Sequence, residues 1–133
     1  MEGYMKFYIG AGLKSAEIVK NIASWLTQIG WEHTYDWTKD VNEEETTQEL
    51  ISYAKLEQQA IYDSDIVIIV LPGGRGTHIE LGMALALNKK IYLYSAQEET
   101  FSIENTVDFY ELPCIHRVIG SIDELTEKII SME

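Results

Sequence analysis

Apolar residues along this chain change their period several times, and each change marks an element. Lys6–Gly10 reads as a short strand, with Gly12 soon after it. Over residues 16–29 the apolar positions Ile18, Ile22, Trp25, Leu26 and Ile29 follow helical spacing, and Gly30 stands where a helix stops. Residues 31–37 switch to an aromatic alternation of the kind a strand shows. The acidic run 40–45 opens a second helical pattern through Leu50, Ile51, Ala54, Leu56, Ala60 and Ile61, its charges read as a solvated first turn. Ile66–Leu71 is almost wholly β-branched and stands between Asp65 and Pro72, which predicts a central strand buried on both faces. A helix over 77–87, a strand over 90–94 and a short strand at Ile115–Ile119 follow. A helix over 122–130 comes last, with Ser121 or Asp123 as its cap. The stretch 95–113 is long for a connection, and predicts a lid, a partner-contacting segment or a short extra helix. Strands alternating with helices predict an α/β fold, a five-stranded parallel sheet covered on both faces through right-handed crossovers.

Composition narrows the function more than the fold. The 133 residues suit one domain, 1–133, able to bury about two thirds of its unfolded surface. Twenty-two acids against 10 bases, net −12, oppose binding to duplex nucleic acid or to an anionic membrane surface. A small anion is not excluded, because a local base or helix terminus outweighs a distant surface that salt screens. The single cysteine, Cys114, allows no intramolecular disulfide and is read as a buried small hydrophobe. Three scattered histidines lack metal-ligand spacing, so neither a metal nor a cofactor is expected. With no leader-like segment and no run long enough to span a bilayer, a reducing cytoplasm is the expected home.

Candidate chemistry concentrates in Pro72-Gly73-Gly74-Arg75-Gly76-Thr77-His78-Ile79-Glu80, a glycine-rich turn from strand to helix. Gly73, Gly74 and Gly76 permit positive φ and close approach of a ligand to main-chain N–H groups. Glu80, expected in the first helical turn, would be held charged there by the helix N-terminus, the state a carboxylate nucleophile requires.

Three segments in order extend this to a family resemblance. Phe7-Tyr8-Ile9-Gly10-Ala11-Gly12, the run from Glu57 through Ala60-Ile61 to Ser64-Asp65, and Gly76-Thr77-His78-Ile79-Glu80-Leu81-Gly82-Met83-Ala84-Leu85-Ala86 together resemble the nucleoside 2-deoxyribosyltransferase family, which includes 2′-deoxynucleoside 5′-phosphate N-hydrolases. The likeness spans Phe7 to Tyr94 and fades in the final third. It implies a flavodoxin-like or Rossmann-like three-layer sandwich and cleavage of an N-glycosidic bond in a small nucleoside or nucleotide. Glu80 falls at the nucleophile, Tyr8 at the residue that orients it, and Glu57 at the acid that protonates the departing base, where the family more often has Asp. The transferases often carry a further Asp where this chain has Gly74, which favours hydrolysis over base exchange. The resemblance also implies a homo-oligomer, with 101–110 as a candidate to complete a neighbouring pocket.

The same chemistry has a physical rationale. An oxocarbenium-like transition state needs an ionised carboxylate beneath the sugar and a second acid for the leaving base. Lys14 and Ser15 after the first strand, with Arg75 and the backbone of Gly10, Gly12, Gly74 and Gly76, are candidates to hold a 5′-phosphate. Trp37 is a candidate to stack on a base, against its more ordinary use as a core anchor. His78 is read as a solvent-facing helix residue before it is read as an acid or base. Two rival readings stay open. The turn also resembles the Pro-Gly-Gly-x-Gly-Thr-x-x-Glu motif of lysine-decarboxylase-like phosphoribohydrolases, and the same pocket would serve a non-catalytic nucleotide sensor.

Overall fold

The computed structural model describes residues 4–40 and 45–133. Five parallel strands, β1 (Lys6–Gly10), β2 (Glu32–His33), β3 (Ile66–Leu71), β4 (Lys90–Ser95) and β5 (Ile115–Ile119), lie in the order β2-β1-β3-β4-β5. Four helices cover them: α1 (Ala16–Gln28), α2 (Thr47–Asp63), α3 (Arg75–Ala86) and α4 (Ile122–Met132). This is the expected three-layer α/β sandwich.

The alternation of side chains along each strand sorts the core into two halves. Phe7, Ile9, Ile66, Ile68 and Val70 meet Val19, Ile22 and Leu26 of α1 and Leu125 and Ile129 of α4 on one face. Tyr8, Val67, Ile69 and Leu71 meet Ala60 and Ile61 of α2 and Leu81 and Ala84 of α3 on the other. All six residues of β3 are buried, as its unbroken β-branched run requires. Because β1 feeds α1 on one face and β3 feeds α3 on the opposite face, the carboxyl ends of these neighbouring strands form a topological switch point. Open α/β sheets bind ligands at such a point.

Several elements depart from the sequence expectations. The second strand is reduced to Glu32–His33, since Asp36 accepts from the Thr38 N–H and turns 37–39 into a 3-10 helix that includes Trp37. Within the acidic run 40–45, residues 41–44 lie outside the described residues. Glu45 precedes α2 rather than opening it, and the first turn is instead built by a reciprocal Thr46–Glu49 capping box. Leu50, Ile51 and Leu56 remain exposed, because only the C-terminal end of α2, at Ala60 and Ile61, reaches the sheet. Trp25 and Ile29 likewise sit at the solvent edge of α1. The stretch 95–113 folds into two 3-10 turns, Glu98–Phe101 and Asp108–Glu111. Cys114 is exposed, not buried, on the segment that leads into the edge strand β5. Among the described residues no helix is long and apolar enough to cross a membrane.

Candidate active site

Tyr8 points from β1 to the α2–α3 face of the sheet, where its hydroxyl donates to Glu80 Oε2 at 2.7 Å across 72 residues of sequence. Beside it, Gly10 makes the arrangement possible. A Cβ built there would stand 2.6 Å from Glu80 Oε1 and 3.0 Å from the Ile69 side chain, so only a residue without one lets the carboxyl lie against β1. Gly73 does the same for the turn, where a Cβ would collide with Thr77 at 2.5 Å. Neither position, nor Gly74 or Gly76, uses the positive φ that glycine permits; among the described glycines only Gly30 and Gly120 do. Close approach, not left-handed backbone, is what the turn draws from its glycines.

The charge state expected for Glu80 is also revised. The helix starts at Arg75, two residues earlier than predicted, so Glu80 lies in its second turn, beyond the N–H groups that lack an intrahelical acceptor. It is only 8% exposed. Burial, opposed by the Tyr8 hydrogen bond and reinforced by the charge of Glu57, pushes its carboxyl up to about 8. Glu57, half-buried on α2, is raised as well, by burial first, with its contact to Glu80 pulling the other way. The two carboxyls therefore titrate as a pair, and near neutral pH they hold a proton between them. Burial and the adjoining carboxylate push the Tyr8 phenol up, so it stays a donor.

The pair faces a cavity of about 340 Å3 between α2 and α3, lined by Ala54, Glu57, Ile61, Gly76, Ile79 and Glu80 among others. The structure thus joins Tyr8, Gly10, Glu57, Glu80 and Gly76. Gly12, Lys14 and Ser15 follow β1 in a short 3-10 turn, and Gly74 and Arg75 begin α3 after the neighbouring strand β3, so both groups sit at the same carboxyl edge of the sheet. Among the described residues neither Lys14 nor Arg75 forms an ion pair. Trp37 is half-buried, and its indole N–H donates to the Ile9 carbonyl at 2.8 Å, which makes it a prop for the end of β1. His78 is half-buried rather than solvent-facing, bound to Gly74 and Tyr110. Tyr110 is buried within its own chain, whereas Ile103 and Phe109 of the same stretch are exposed. Among the described residues no cluster of His, Cys, Asp or Glu is arranged to hold a metal.

Sequence reasoning missed Tyr35 and Tyr53. Tyr35 donates to Asp40 at 2.5 Å, and burial first, then that bond, then the charges of Asp40 and Glu57 push its phenol up, with Tyr53 adding to the effect. Signals for both were present. Tyr35 continues the alternation of Trp31 and Trp37, and Tyr53 precedes Glu57 by four residues, one helical turn on the same face.

Comparison with known proteins agrees with this picture. Residues 7–121 match the family model of nucleoside 2-deoxyribosyltransferase. No curated protein matches the sequence. Among solved structures, the CMP N-glycosidase BcmB of Clostridium botulinum is similar at a TM-score of 0.67 and 23% identity, over 94% of this chain and 98% of that one. A conserved protein from Enterococcus faecalis V583 is similar at a TM-score of 0.57 and 16% identity, over 98% of this chain and 100% of that one. At these identities the likeness establishes the shared fold.

Proposed function

Because the chain belongs to the nucleoside 2-deoxyribosyltransferase family, we propose that it breaks the N-glycosidic bond of a small nucleoside 5′-monophosphate, with Glu80 as nucleophile and water as the favoured acceptor. The observation that carries this reading is the buried Glu80 carboxyl, held by Tyr8 at 2.7 Å and coupled to a second acid, Glu57.

In the proposed reaction the pair's proton resides on Glu57 as positive charge grows on the sugar, since that charge favours ionised Glu80 and Tyr8 stabilises the same state. A Glu80 oxygen then bonds to C1′ while the C1′–N bond breaks. Its electron pair leaves with the base, whose nitrogen takes the Glu57 proton. In the second half, water adds to C1′, returns a proton to Glu57 and frees the Glu80 carboxylate. The longer Glu57, in place of the family's more usual Asp, reaches one methylene further toward the leaving base.

Gly74 stands where transferases often have Asp, which favours water over a second base. Lys14, in the turn after β1, and Arg75, at the N-terminus of α3, lie at the same carboxyl edge of the sheet, a combination suited to a 5′-phosphate. The CMP N-glycosidase among its structural neighbours handles a ligand of that class. A panel of nucleosides and their 5′-monophosphates, scored for free base by chromatography, tests the reading. Base should be released from monophosphates and not by Glu80→Gln, which should still bind within about tenfold of wild type because the amide keeps the shape and loses only the charge. Ligand binding without base release from any member of the panel would instead make the protein a sensor.

A further inference from the structure

Two positions before Glu80, the His78 imidazole is engaged at both nitrogens. Nδ1 lies 2.7 Å from the Gly74 carbonyl oxygen and Nε2 lies 2.6 Å from the Tyr110 hydroxyl. A carbonyl only accepts, so Nδ1 carries the proton. In the Nδ1–H tautomer Nε2 is bare and accepts from the Tyr110 O–H. One line of donors runs from the 95–113 loop, through the imidazole, to the start of α3.

Both ends of this line are anchored. Tyr110 is only 5% exposed, stacks on His78 with ring centroids 5.8 Å apart and meets the edge of Phe101 at 5.9 Å. Its 3-10 turn is tied by Thr106 to Glu111 at 2.7 Å and by Arg117 to Glu111 at 3.1 Å. At the other end Gly74 is the N-cap of α3 and offers no side chain to cap the helix. Its carbonyl instead accepts twice from His78, from the backbone N–H at 3.2 Å and from the ring. Carbonyl and N–H point oppositely in a planar trans peptide. Holding the Gly74 carbonyl toward the helix therefore aims the Arg75 N–H outward, as a donor for an anion. Across a cavity of about 250 Å3, Pro72 and Gly73 of this turn face Gln97, Thr100, Asn105 and Tyr110 of the loop.

We propose that His78 is a positioning residue, and that the Tyr110–His78–Gly74 hydrogen-bond line sets the first N–H groups of α3 for phosphate, making phosphate recognition depend on the loop. This rests on the reading of the 74–76 turn as the end of the site that takes the 5′-phosphate. It assigns a role to His78 that requires no contact with substrate, and it gives the loop a function within its own subunit.

Calorimetric titration with ribose 5-phosphate, and base-release kinetics on a 5′-monophosphate and its unphosphorylated nucleoside, test it in Tyr110→Phe, His78→Asn and His78→Ala. Asparagine can still donate to the Gly74 carbonyl from the Nδ1 position but cannot accept from Tyr110. Tyr110→Phe and His78→Asn should therefore weaken ribose 5-phosphate alike, by roughly three- to tenfold, the range of one neutral hydrogen bond. His78→Ala should weaken it further. KM for the monophosphate should rise with kcat held, while the nucleoside is unaffected. Nitrogen-15 spectra should show His78 as the Nδ1–H tautomer. An Nε2–H tautomer, an unchanged affinity in Tyr110→Phe, or equal losses for phosphorylated and unphosphorylated ligands would each overturn the proposal, as would a wild type that ignores ribose 5-phosphate. If wild type releases no base but the calorimetric pattern holds, the catalytic reading fails and the positioning role stands.

Discussion

Replacing Glu80 by glutamine should make the ligand-free protein more stable at alkaline pH. The wild-type carboxyl is pushed up to about 8 from 4.5. For a group raised in the folded state, its contribution to stability is fully present below the unfolded value of 4.5 and is lost as pH rises through about 8. At about 1.36 kcal/mol per pH unit the gap amounts to about 5 kcal/mol, an upper figure because Glu57 shares the titration. That is a large part of the ~5–15 kcal/mol that holds a typical domain folded. Glutamine keeps an oxygen for the Tyr8 hydroxyl at 2.7 Å and carries no charge to bury. Urea denaturation of wild type and Glu80→Gln at half-unit steps from pH 4.5 to 9 measures the effect. The two curves should be near each other at the acid end and diverge by several kcal/mol at pH 9, with the variant the more stable. The net charge of −12 destabilises both proteins as pH rises and largely cancels in the difference. Parallel curves, or a variant less stable than wild type at pH 9, would refute the claim that a buried, proton-holding Glu80 is maintained at a cost to the fold.

Gly10→Ala should remove base release with a smaller effect on folding, because the new methyl displaces a Glu80 oxygen that lies 2.6 Å from its position, and a thermal melt read beside the activity separates the two. Tyr8→Phe deletes the hydrogen bond that favours ionised Glu80; turnover should fall by the equivalent of about 1.5–3 kcal/mol, and the pH at which Glu80 ionises, followed by carbon-13 NMR of the carboxyl, should rise. Lys14→Ala should weaken 5′-monophosphates by up to about 1 kcal/mol, the lysine being exposed, and leave unphosphorylated nucleosides unchanged, with the difference shrinking as salt is added. An equal loss for both ligand classes would assign Lys14 a structural role.

Periodicity and local chemistry carried much of the fold. The apolar run of β3, the helical spacing at Ile22 and Leu26, and a cap for α4 at Ser121 or Asp123, of which the fold uses Ser121, depend on near neighbours alone, so they were legible in the linear order. The roles suggested for Tyr8, Glu57 and Glu80 came from motif resemblance, and the folded chain brings those three side chains together. Where neighbours compete, the sequence was a poorer guide. Asp36 cut the expected second strand short and turned its end at Trp37 into a 3-10 helix, and the late packing of α2 left Leu50, Ile51 and Leu56 outside despite their spacing.

Residues that act through partners far along the chain were decided only in three dimensions. The proton on Glu80 depends on burial beneath β1 and on Glu57 of α2, and those long-range effects outweigh the helix terminus that local reasoning relied on. Gly10 matters because a residue 70 positions away needs its space, a requirement that no spacing encodes. His78 reads as an ordinary helix residue until the loop at Tyr110 packs against it. Local order was enough to set most strands and helices and the residue types available for chemistry, because backbone preference and amphipathic period are local properties. Protonation state, close approach and the assembly of a site required the tertiary structure, because desolvation and contact depend on what the rest of the chain brings near.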